Sequence, residues 1–110
     1  MDAVLPLDTA NHLMPLVPAK TALAETYDTT ISAETEVTLN ANTSFIEVSA
    51  INTPIFMKYK TVAGGTAVSS TNFDEFIGAG VTRHFRKPTG ITVLAFIEQA
   101  ASATLVVIEK

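Results

Sequence analysis

With 110 residues the chain has room for one domain around one core and too little for two. Hydrophobic residues make up 47% and charged residues only 16%, against about 25% charged in an average soluble domain, so ionic surface is scarce and part of the apolar excess calls for cover by a partner or a second copy. A net charge of −4 argues against the broad basic footprint of a nucleic-acid binder. The absence of cysteine excludes a disulfide framework, a thiolate metal site and a thiol nucleophile.

Residues 1–24 carry three of the five prolines, Pro6, Pro15 and Pro18, each of which removes a backbone donor and turns its predecessor away from helix. Leu5, Leu7, Leu13, Leu16 and Val17 nevertheless make the stretch too apolar for a solvated tail. An extended N-terminal arm lying on another surface, its own domain or a neighbouring subunit, reconciles the two. Asp2 and Asp8 precede the first base, Lys20, the reverse of a secretory signal, so synthesis in a cytosol without export is expected. The longest nearly apolar run, residues 91–97, is far short of the roughly 20 residues of a membrane span, so no membrane partner is expected.

From residue 25 to 110 the pattern changes to short segments rich in Thr, Val, Ile and Phe between turn residues. Strands are predicted over 26–32, 35–39, 44–51, 55–62, 73–77, 81–86, 91–98 and 103–109. Eight short antiparallel strands without helical periodicity predict an all-β domain, a β-sandwich or jelly-roll-like fold. In Pro88-Thr89-Gly90, proline suits the second and glycine the fourth position of a type I turn. Alternation buries Ile46, Val48 and Ala50 on one strand and Ile55, Met57 and Tyr59 on the next, and turns Phe56, Lys58 and Lys60 outward. Phe45, Phe56 and Phe85 are candidates for outward faces, as a subunit contact or a carbohydrate platform; burial under loops or the N-terminal arm is the other expectation. The last two strands are apolar on both sides, as central strands or strands covered by a second molecule would be.

Charge is unevenly spread. Five bases, Lys58, Lys60, Arg83, Arg86 and Lys87, lie between positions 58 and 87 with only Asp74 and Glu75 among them. A positive strip facing an acidic partner is one expectation; solvated outer faces of ordinary strands are the other.

Catalysis finds little to work with. Asp74, Glu75, Arg83 and His84 are close in sequence, but Arg83 and His84 are adjacent on one strand and point to opposite faces, with His84 sharing its side with Arg86. His12 and His84 are the only histidines, without the clustered ligands of a metal centre. "GAGVTR" at 78–83 lacks the third glycine and the helix of a dinucleotide loop and reads as a turn. Asn42-Thr43-Ser44 fits the glycosylation pattern, which carries information only in an exported protein. No catalytic residue, metal or cofactor is assigned.

The stretch from "NTSFIEVSAINTPIFMKYK" through "FDEFIGAGVTRHFRKPTGITVLAFIEQAASATLVVIEK" resembles small structural proteins of tailed-bacteriophage virions. Its cadence is an aromatic strand end, a Pro-x-Gly turn, an apolar strand, an Ala/Ser-rich turn and a final Val/Ile strand. The resemblance implies a capsid decoration or cement protein, β-rich and homo-oligomeric, in some cases trimeric, that docks on the major capsid protein or another virion protein through a terminal arm. In that reading Leu5, Leu7, Leu13, Leu16 and Val17 anchor, and Phe56, Lys58, Lys60, Arg83, Arg86 and Lys87 complete the contact. A tail- or fibre-associated module and a carbohydrate-binding β-sandwich using Phe56 or Tyr59 are the alternatives.

Overall fold

The computed structural model describes residues 22–110, and the arm residues Leu5, Leu7, Leu13, Leu16 and Val17, with His12, lie outside that range. Eight strands follow in chain order: β1 (Ala24–Asp28), β2 (Thr35–Thr38), β3 (Phe45–Ile51), β4 (Ile55–Lys60), β5 (Glu75–Ile77), β6 (Thr82–Arg86), β7 (Val93–Glu98) and β8 (Thr104–Glu109). Each overlaps one predicted segment, and there is no helix among the described residues.

Two four-stranded antiparallel sheets form, sheet I in the order β1-β8-β3-β6 and sheet II in the order β2-β7-β4-β5. The first half of the chain pairs with the second in reverse, β1 with β8, β2 with β7, β3 with β6 and β4 with β5. The chain is thus one long hairpin, folded at residues 61–74 and rolled up until β3 meets β8 and β4 meets β7. That is the connectivity of a jelly roll. Strands β7 and β8 are central, which accounts for their apolar character on both faces.

The core lies between the sheets. Ile46, Val48, Leu105 and Val107 of sheet I are buried against Ile55, Met57, Leu94 and Phe96 of sheet II. The alternation of β3 and β8 sends every second side chain inward, as a period of two requires.

Three boundaries differ from expectation for local reasons. Strand β1 stops at Asp28 because its carboxylate accepts Thr30 N at 2.7 Å and the Thr30 hydroxyl at 2.9 Å, an Asx turn that competes with the ladder. Ile31 then plugs the core from the loop. Before β5, Asp74 N donates to Met57 O (2.8 Å) and the Asp74 carboxylate accepts Tyr59 N (2.8 Å), so a side chain replaces the next strand residue. The Pro-Gly turn is shifted by one: Ile91 N donates to Pro88 O (3.2 Å), which puts Gly90, at φ +84°, third in the turn. A positive φ there belongs to a type II turn, which favours glycine at that position, in place of the type I turn expected.

Candidate docking surfaces

The outer faces of the two sheets have different fates. On sheet II, Phe56 of β4 points outward by register, yet it is only 7% exposed. Of its two expectations exposure is corrected and burial under a loop holds, because the 61–74 loop folds back as a strap, laying Val68 against Phe56 and Ala95 with Ile97 beside them. The rings of Phe73 and Phe76 flank Phe56 at centroid distances of 4.7 and 5.4 Å, tilted by 50° and 56°.

Lys60 is the second correction, at 6% exposure. Its Nζ donates to Glu34 (3.0 Å), Glu36 (2.9 Å) and Gly64 O (2.9 Å), using all three donors of the ammonium. The same carboxylates reach into the strap, Glu34 accepting Val68 N at 2.6 Å and Glu36 accepting Gly64 N at 3.0 Å. Lys60 therefore fastens the strap and is not offered to a partner. The hydrogen bond from Lys60, then that from Gly64 N, holds the Glu36 carboxyl below its ordinary 4.5 against the opposing effect of burial. Burial disfavours the Lys60 ammonium, but its bonds to Glu36 and Glu34 outweigh this and raise it above 10.5.

These shifts predict a window. A carboxyl depressed on folding stabilises the strap above 4.5 and loses that contribution as pH falls through its folded value. A raised ammonium stabilises below 10.5 and fails only as pH rises past it. Nicking of the 61–74 loop by an acid protease is expected to increase as pH drops below 4.5, and Glu36→Gln should nick readily with much less dependence on pH. A loop equally resistant at every acidic pH would contradict the latch.

The remaining predicted bases do not share one surface. Lys58 lies on the outer side of sheet II, donating to Asn72 Oδ1 at 3.0 Å, beside an open cleft of about 530 Å³ also lined by Thr61, Val62 and Thr66. Arg83 is turned toward the interior at the sandwich edge, where it bridges β6 of sheet I to β5 of sheet II. Its guanidinium meets Glu75 at 3.1 Å, donates to Phe76 O at 3.1 Å and lies 4.9 Å from the centre of the Phe85 ring. Arg86 is exposed on the outer side of sheet I opposite Phe45, and Lys87 follows in the turn. The single positive strip is thereby corrected to separate locations, because β4 and β6 belong to different sheets.

Phe85 also points inward, edge-on to Tyr59 at 6.4 Å, not outward as expected. Burial first, then the negative charges of Glu75 and Asp74, pushes the Tyr59 hydroxyl up to about 12, with Arg83 opposing. Of the two rings named for a sugar platform, Phe56 is buried and Tyr59 partly buried. His84 lies on the outer face, 3.4 Å from Glu47, which also holds Lys110 at 3.1 Å. It is turned away from Arg83 and Glu75 and shares the outer side with Arg86, as expected, with Glu47 of β3 as its partner. Among the described residues no group of three or more His, Cys, Asp or Glu is placed to hold a metal ion.

The outer face of sheet I carries exposed and partly exposed side chains. Tyr27, Val106, Ser49 and Thr82 form one cross-strand row, and Glu25, Ile108, Glu47 and His84 the next. Tyr27 is 72% exposed and Ile51 stands free at the margin. This face, and the half-exposed Phe73 and Phe76 (40% and 42%), were not singled out by sequence reasoning. The spacing Phe-x-x-Phe at 73–76 was the available signal for the second.

Comparison of the chain with protein-family models, with curated proteins and with solved structures gives no match.

Proposed function

We propose that the protein is a non-enzymatic structural component of a virion, a decoration protein that docks on the assembled head of a tailed bacteriophage and stabilises it. The observation that carries this reading is the outer face of sheet I, where Tyr27 and Ile51 are exposed and Val106 and Ile108 partly exposed, while the 61–74 strap lies on sheet II. A sheet face with apolar side chains inside a polar margin has the make-up of a protein contact. Arg86, exposed at one end of that face, suits an acidic partner. The jelly roll is used by many viral capsid proteins, although it also serves lectins, and fold alone assigns no function.

The mechanism is linkage. A protein that binds the assembled shell more tightly than its separated subunits stabilises the shell by mass action, and many equivalent copies multiply a modest contact. Leu5, Leu7, Leu13, Leu16 and Val17 supply apolar anchoring in this reading, with the major capsid protein as partner.

A density map of purified particles containing the chain tests the proposal. Copies in proportion to the shell subunits, with the outer face of sheet I against the shell, are expected. The few copies of a single tail or vertex would replace decoration by a tail-associated module, and absence from particles would overturn both.

A further inference from the structure

Phe73 and Phe76 form the most aromatic part of the described surface. Each is tilted against Phe56, itself buried, so the two half-exposed rings stand on either side of a third, and the surface between them is termed the notch. Asp74 stands between them in sequence. Its carboxylate accepts Tyr59 N and makes no ion pair among the described residues, whereas Glu75 is already held by Arg83. The nearest cation on this face, Lys58, is engaged with Asn72. Aromatic rings beside an unpaired acid are what a proline-rich segment followed by a base recognises: proline presets the polyproline II backbone, its rings pack on aromatics, and the base finds the acid.

The chain contains such a segment. Pro15-Leu16-Val17-Pro18-Ala19-Lys20 is P-x-x-P with a lysine two positions on. We propose that residues 15–20 of one copy dock on the Phe73–Phe76 notch of another, with Lys20 facing Asp74.

Reach decides between the copy's own segment and a neighbour's. Strand β1 is the edge of sheet I farthest from β6, and Arg83 ties β6 to β5, so β1 and β5 lie at opposite edges of the sandwich. Three strand spacings and one sheet spacing make the route round the outside at least about 24 Å. The four residues from Ala24 back to Lys20 span at most about 14 Å. A copy would reach its own Asp74 only with chain and Lys20 side chain fully extended, whereas a neighbouring copy reaches it without that stretch, so the contact is assigned between copies. Donor and acceptor sites on opposite edges make the contact heterologous, which closes into a ring when the rotation permits. This inference is independent of the particle reading; it takes Leu16 and Val17 for the neighbouring copy and leaves Leu5, Leu7 and Leu13 for the shell.

Sedimentation of the full chain tests it by complementation. The parent chain is expected to form oligomers. Phe76→Ser, which loses the notch, and Pro15→Ala/Pro18→Ala, which loses the ligand, should each raise the dissociation constant at least about tenfold. Mixed together they should form a one-to-one pair, since one retains the segment and the other the notch. A parent chain monomeric at every soluble concentration, or two variants that fail to complement although both fold, overturns the proposal. Should Phe76→Ser not fold, disulfide trapping carries the test, because the chain has no native cysteine. Ala19→Cys and Thr71→Cys copies should cross-link to each other and not to themselves. A chain carrying both that closes on itself at monomer mass overturns the assignment to a neighbour.

Discussion

Phe56→Ala should lower the stability of the domain by about 3–5 kcal/mol, the usual cost of emptying a buried phenylalanine site. The ring is the floor on which Val68, Ala95, Ile97, Phe73 and Phe76 rest. Each lost aromatic pair adds roughly 0.5–1.5 kcal/mol beyond its area, which places the expected value in the upper half of that range. For a domain this small about 4–8 °C of melting temperature accompanies each kcal/mol, so thermal denaturation reads the effect easily. Phe56→Leu refills most of the volume and should recover more than half of the loss. The alanine variant should also disorder the notch between Phe73 and Phe76 and so weaken the contact proposed between copies. A Phe56→Ala protein as stable as its parent would mean that the strap leaves sheet II in solution.

The second large effect is expected at the opposite sheet. Glu109 of β8 is 1% exposed and lies on the inner row beside Ile46. Its Oε1 accepts Asn40 N at 2.7 Å and the buried Thr43 hydroxyl at 2.8 Å, pinning the turn between β2 and β3. Glu109→Ala removes two bonds to a charged acceptor and strands the Thr43 hydroxyl, a cost of about 2–4 kcal/mol. Glu109→Gln keeps an acceptor oxygen in place and should lose about half as much. Urea denaturation measures the difference, and faster exchange of the Asn40 amide in both variants would locate it. The turn leads into Ser44, which accepts Lys87 N (2.8 Å), so loosening it should also disturb the end of sheet I where Arg86 is exposed. Equal stability of the alanine and glutamine variants would refute the role of the acceptor.

Alternation made the strands and the inward residues of β3 legible in the sequence, because a period of two reports which side chains share a face. It does not report what lies on the other face. Phe56 and Lys60 alternate outward as expected, but a loop with a single buried apolar residue, Val68, returns over them. Nothing in "AGGTAVSST" announces that. The burial of Lys60 depends on Glu34 and Glu36, which reach it from β2 and the loop before it. Sequence distance hides this convergence, since β2 and β4 become second neighbours only once β7 lies between them. The same limit applied to the basic residues: their clustering in sequence was real, but β4 and β6 fold into different sheets, and Arg83 is spent on Glu75. The Pro-Gly turn was readable as a turn, while its exact register depended on which carbonyl found Ile91 N.

The rolled hairpin has a consequence in time. Ala24 pairs with Glu109, so the outermost rung of the fold joins residues from nearly opposite ends of the described chain. Loop closure over such separations must precede the contacts that reward it, and folds of this kind form in about milliseconds to seconds. During synthesis β1 is made first and finds its partner last. Until β8 emerges, its ladder groups are available to other chains. Copies made close together on one message would therefore meet at β1, before either sandwich is closed.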